Sequence, residues 1–167
     1  MAGQIFLSAA GMWPSTTSGC ATNTKIEMAT NKQNVYVLDF ADGSTTYAEG
    51  NIQMPSDWNA GTITAQFLWT NANSNTNVAR WQIEAVSVAD TENIDATWGT
   101  AVAVDDANTA SATNKLLISA ATAAVTVAGA AASELVLFRI ARLGGHANDN
   151  LTTAARLIGV MISYTRT

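Results

Sequence analysis

The chain reads as all-β, a jelly-roll-like antiparallel β-sandwich with an extended N-terminal arm, and three observations lead there. Gly, Pro, Asn and Asp punctuate it about every ten residues, the spacing of many short strands. Apolar residues alternate with a period of two in the clearest segments, and helical periodicity is nowhere sustained. A length of 167 residues suits one domain. Such a chain buries roughly 70% of its unfolded surface, so a single core suffices.

Gln4 to Leu7 gives a short first strand. The opening MAGQIFLSAAGMW lacks the basic start and continuous apolar run of a secretory signal, so none is expected. Ser8 to Thr24 (SAAGMWPSTTSGCATNT) mixes Gly, Pro, Ser and Thr around one aromatic anchor. It is expected to be an arm tied down by Met12 and Trp13 and ordered mainly by contacts outside its own sandwich, because alone it could not offset its ordering entropy. The organisation is therefore an arm over residues 1–24 and a sandwich over 25–167.

Strands follow at Asn34 to Ala41 and Tyr47 to Gln53. Gly61 to Asn71 (GTITAQFLWTN) puts Ile63, Ala65, Phe67 and Trp69 on one face against Thr62, Thr64, Gln66 and Thr70. After the turn tract Asn71 to Asn77, Ala79, Trp81, Ile83 and Ala85 alternate with Arg80, Gln82 and Glu84, and these two strands read as an antiparallel pair. Thr100 to Val104, Lys115 to Ser119 and Ala124 to Val127 bring the expected total to between eight and ten strands. Glu134 to Arg142 and Leu157 to Tyr164, separated by the polar turn GGHANDN, read as adjoining strands of one buried sheet. Both faces of Glu134 to Arg142 are largely apolar, as in a central strand covered on both sides. Arg139 and Arg142 then need partners: a salt bridge or backbone contact by this reading, a ligand or neighbouring subunit by the alternative.

Charged residues are 13% of the chain and hydrophobic ones 48%. Neutral side chains or another subunit must cover the surface, which favours an assembly component over a diffusing enzyme. The net charge is −5, with eight Lys and Arg scattered from Lys25 to Arg166, so nucleic acid is not an expected partner. Cys20 is the single cysteine, excluding an intrachain disulfide, and reads as a small buried side chain. Every apolar run falls short of the roughly 18 to 20 residues of a membrane helix, and no membrane partner is expected.

Catalytic material is sparse. Asp90 to Trp98 (DTENIDATW), with Asp105 and Asp106, could offer carboxylate oxygens to calcium, but without EF-hand spacing these read as solvated loops. His146 stands near Asp149 in a turn where loop polarity explains both. No nucleophile elbow, zinc-protease, phosphate-loop or dinucleotide motif occurs. Paired glycosidase carboxylates are left open by sequence. No catalytic residue, metal or cofactor is assigned. Among the five tryptophans, Trp69 and Trp81 fall on core faces, while Trp13, Trp58 and Trp98 could either stack on sugar or anchor packing.

The succession TNKQNVYVLDFADGSTTYAEGNIQMPSDWNAGTITAQFLWT, the Trp81 strand, the acidic loop and VLFRIARLGGHANDNLTTAARLIGVMISY resembles small virion structural proteins of tailed bacteriophages with a jelly-roll-like sandwich. The likeness runs from about Thr30 to Tyr164. Its most specific pieces are Leu38-Asp39-Phe40 before a Thr-rich turn, the Pro55 to Thr64 segment, and the FRIAR strand with Asp149 and RLIGVMISY downstream. The resemblance implies an oligomeric virion protein without enzymatic activity.

The expected function is a capsid decoration or cement protein on the capsid surface, a homotrimer that bridges and stabilises the major capsid protein. The alternative is a tail or fibre module that binds host surface glycan; a free glycan-active enzyme is the third class. Expected capsid or subunit contacts are Met12, Trp13, Trp58, Trp98, Arg139 and Arg142.

Overall fold

The computed structural model describes residues 1–72, 76–109 and 113–167. Twelve strands occur among them: β1 (Ala2–Ser8), β2 (Trp13–Pro14), β3 (Thr24–Glu27), β4 (Asn34–Phe40), β5 (Thr45–Gln53), β6 (Trp58–Thr70), β7 (Val78–Val88), β8 (Val102–Ala107), β9 (Leu117–Ile118), β10 (Val127–Ala128), β11 (Leu135–Leu143) and β12 (Ala155–Arg166). They form two six-stranded sheets. Sheet A runs β3-β4-β12-β6-β9 with β1 also on β12; sheet B runs β10-β7-β11-β5-β2 with β8 also on β7. All pairings between these strands are antiparallel except the two-residue β10–β7 contact. No helix among the described residues is long and apolar enough to cross a membrane.

The all-β sandwich follows the alternation seen in sequence, but two pairings do not. The Trp69 and Trp81 strands, expected to pair, lie in opposite sheets: β6 bonds to β12 and β9, and β7 to β11, β10 and β8. Leu135–Leu143 and Ala155–Arg166 are likewise divided between sheets B and A rather than adjoining. The reason is common to both. Each member presents an apolar face, and two such faces exclude more water looking at each other across a core than lying side by side in one sheet. Trp81 accordingly stacks on Phe67 at 5.5 Å and meets Trp69 and Phe40 edge-on at 6.0 and 5.2 Å. Residues 73–75 of the turn tract Asn71 to Asn77, between the Trp69 and Trp81 strands, lie outside the described residues.

Two expected strands shrink. Lys115 to Ser119 reduces to β9, after which side chains complete what the backbone leaves: Ser119 N and Thr122 N still donate to the carbonyls of Phe67 and Ala65, while the Ser119 hydroxyl accepts from Phe67 N at 2.9 Å and Thr122 Oγ1 from Ala65 N at 3.0 Å. Ala124 to Val127 crosses between sheets, with Val125 bridging Ile63 of β6 and Val127 joining Ala85 of β7.

Residues 1–24 take an extended path but lie on the sandwich, correcting the expectation of external contacts. β1 pairs with β12 from Ala2↔Thr165 to Ser8↔Gly159. Leu7, Ala9, Met12 and Cys20 all belong to the main core. Gly50 makes room for them: a Cβ there would stand 3.1 Å from Met12 Cγ and 3.2 Å from a Leu7 methyl. Asn23 Nδ2 donates to the carbonyls of Met12 and Ala9, closing the loop at 3.2 and 3.4 Å. Burial of four apolar side chains supplies the energy that the segment's composition had suggested was missing.

Candidate functional site

Arg142 points into the end of the sandwich and is fully buried. Its guanidinium uses all five N–H donors. Nε and Nη2 grip the Asp149 carboxylate at 2.9 and 2.8 Å, Nη1 donates to the carbonyls of Phe40 and Thr153 at 3.1 and 2.6 Å, and Nη2 also donates to that of Leu151. Asp149 accepts further from Arg80 N at 2.8 Å. Because Phe40 belongs to sheet A and Arg142 to sheet B, this node ties the sheets together. The structural reading of Arg142 therefore replaces its assignment as a subunit contact. The Asp149 carboxylate, so engaged, is turned away from the His146 imidazole, which is exposed and accepts from Asn148 N at 3.0 Å; Asp149 meets His146 only through its backbone N, which donates to the His146 carbonyl.

Arg139 points the other way, onto the outer face of sheet B, with its side chain one-third exposed. Its Nε donates to Glu84, and its guanidinium lies 5.0 Å from the Tyr47 ring and 5.1 Å from the Trp98 ring. Both contacts are within cation–π range. Register builds a row around it: Arg139 stands opposite Glu49 on β5 and Glu84 on β7, and Trp13 on β2 stands opposite Glu49. Trp13, Glu49, Arg139 and Glu84 thus cross four neighbouring strands, a span of about 14 Å at ordinary strand spacing.

A cavity of about 400 Å³ opens at the Trp13 end of this row, lined by residues 13–18, Tyr47, Glu49 and Arg139. Its wall is fixed by backbone bonds along β5: Tyr47 N donates to Ser18 O, while Ser15 N and Cys20 N donate to Tyr47 O. Ser15 Oγ adds a bond to Glu49 Oε1 at 2.7 Å. Trp13, in that wall, is 45% exposed. An aromatic face beside a carboxylate and a guanidinium is suited to a ligand with apolar C–H faces and hydroxyl edges.

Of the six residues expected as contacts, Trp13 and Arg139 line this cavity and Trp98 lies against Arg139. Met12 and Trp58 are 2% and 1% exposed in their own core. Neither they nor Arg142 can reach a partner, and Trp58 cannot stack on sugar. A tryptophan at a strand start is as readily turned inward by burial as left at a rim. Sequence reasoning passed over Tyr47, Glu49 and Glu84. Tyr47 and Glu49 share the outer face by alternation, but only the β5–β11–β7 register shows that they meet Arg139.

Other polar candidates lie apart. Asp90, Glu92 and Asp95 are exposed loop residues, and no group of three potential metal ligands occurs among the described residues. Burial pushes the Cys20 thiol up to about 12, keeping it protonated.

Two facing antiparallel sheets with a groove on one outer face define a jelly-roll β-sandwich. Among solved structures, the chain is similar to a family 35 carbohydrate binding module from Clostridium thermocellum (12% identity, 96% of this chain and 97% of that one, TM-score 0.52). It is also similar to the CBM36-1 domain of a multidomain xylanase from the hindgut metagenome of Trinervitermes trinervoides (8%, 99% and 100%, TM-score 0.51). A third likeness is to the CBM22-1–GH10 modules of Clostridium thermocellum xylanase 10B in complex with xylohexaose (10%, 96% of this chain and 28% of that one, TM-score 0.51). At these identities the likeness is one of fold. No protein-family model matches the sequence, and no curated protein matches it.

Proposed function

We propose that the chain is a glycan-binding β-sandwich without enzymatic activity, serving as a tail or fibre module of a virion. The observation that carries this reading is Trp13, open to solvent in the wall of a groove that also presents Tyr47, Glu49 and Arg139. The fold shared with structures described as carbohydrate-binding modules supports it. The virion setting rests on the sequence resemblance alone. Hydrolysis by a carboxylate pair is disfavoured because Glu84, whose side chain is 9% exposed, is held by Arg139 away from the open groove. The capsid-cement reading is weakened because three of its six contact residues are enclosed by their own chain.

The test is Trp13→Ala, read as adsorption of virions to host cells and as the temperature at which virions release DNA. Adsorption should fall at least tenfold, as expected for losing about 1.4 kcal/mol or more of aromatic contact, with heat stability unchanged. The reverse pattern, adsorption intact and DNA lost at lower temperature, makes the protein cement.

A further inference from the structure

We infer that the groove selects neutral glycans and rejects those carrying carboxylate or sulfate groups, an inference that rests on the glycan-binding reading and names its ligand class. The charges decide it. The charged side chains that line the cavity are Glu49 and Arg139. The charge of Arg139 is already balanced: its Nε is bonded to Glu84, the Tyr47 and Trp98 rings lie 5.0 and 5.1 Å from its guanidinium, and cross-strand register sets a carboxylate on either side of it, so its remaining N–H groups can serve a hydroxyl but bring no net positive charge for an anion. Across the row one cation stands against two carboxylates, leaving an excess of one negative charge beside the exposed indole.

Glu49 holds that excess. Its Oε1 accepts from the Ser15 hydroxyl, a neutral partner that orients the carboxylate without cancelling its charge. A uronate or sulfate placed on Trp13 would meet this carboxylate with no uncommitted cation to offset it, in a cleft where charges are screened less than in open water. A hydroxyl has no such conflict: it donates to Glu49 and accepts from the outer guanidinium N–H groups of Arg139, while the C–H face of its ring packs on the indole. The overall charge of −5 adds to the repulsion of polyanions as they approach.

The test is an array of neutral, uronate-bearing and sulfated oligosaccharides probed with the full chain, followed by titration of the best-bound neutral glycan and its nearest carboxylated analogue. The neutral glycan should bind at least tenfold tighter. That ratio should shrink as salt is raised and shrink in both Glu49→Gln and Glu84→Gln, since one variant removes the repelling charge and the other releases the charge of Arg139. Stronger binding to uronate or sulfate glycans overturns the neutral selection and leaves glycan binding standing. A ratio indifferent to salt and to both substitutions also overturns it, because selection would then owe nothing to these charges. No binding to any glycan on the array overturns both readings.

Discussion

Arg139 and Arg142 sit on the same strand, project from opposite faces of sheet B, and have opposite fates. Arg142 is enclosed, with every N–H donor matched by an oxygen of its own chain. Arg139 is held at one nitrogen and lies within cation–π distance of two rings, and it lines the groove. The first arrangement uses up the hydrogen-bonding capacity of the guanidinium within the fold. The second fixes its position and leaves capacity over, which is what a binding group requires. Residue type says nothing of the difference; the count of unmatched donors does.

The contrast is broken most directly at Arg142. Replacing it by Ala leaves Asp149 buried without its cation and orphans three carbonyls, and the expected loss of stability in urea unfolding is about 3–5 kcal/mol. A loss below about 1 kcal/mol would show that the node is hydrated and does not tie the sheets.

Arg139→Ala should do the reverse. With an ion pair removed whose cation is one-third exposed, stability should fall by only about 1 kcal/mol, while affinity for the bound glycan falls at least tenfold in isothermal titration. Equal damage to stability from both substitutions would erase the distinction between the two arginines.

The smallest effect is electrostatic and lies on the Trp69 side of the core. Burial raises the Asp106 carboxyl above its usual range, and the hydrogen bond from Trp69 Nε1, at 2.6 Å, pulls partly against that rise. A carboxyl whose folded pKa lies above its unfolded value of about 3.9 favours the fold fully at lower pH and loses that contribution as pH climbs through the folded value. Asp106→Asn keeps an acceptor for Trp69. It should therefore gain up to about 1 kcal/mol at pH 7, an electrostatic term of modest size, and match the parent below pH about 3.9. A gain that grows on acidification would reverse the sign of this account.

Strand positions were legible in the sequence because alternation is a local signal. Asn34–Phe40, Trp58–Thr70 and Leu135–Leu143 lie close to where their apolar periods put them. Pairing was not. Alternation shows that Trp69 and Trp81 have core-facing neighbours, and that holds equally for two strands of one sheet and for strands of two sheets across a core. The groove was half visible. Trp13, Trp98 and Arg139 drew notice as an exposed-type aromatic and a cation needing partners, whereas Glu49 and Glu84 looked like ordinary outward charges until register set them on either side of Arg139. Met12 illustrates the opposite failure. Its segment is poor in apolar residues, yet the absence of a side chain at Gly50, far along the chain, gives it a place in the core.

The placement of β12 governs the order in which the fold can be completed. It pairs with β1, β4 and β6, and a ribosome makes all three of these before it makes β12. Until then sheet A has no centre, and three apolar strand edges wait without their partner in a crowded cell. Sheet B can pair β7 and β5 once β11 has emerged, still ahead of β12. Synthesis therefore delivers the groove-bearing half first and leaves the other half dependent on a late strand, which makes β12 the segment whose delay or damage most exposes the chain to aggregation.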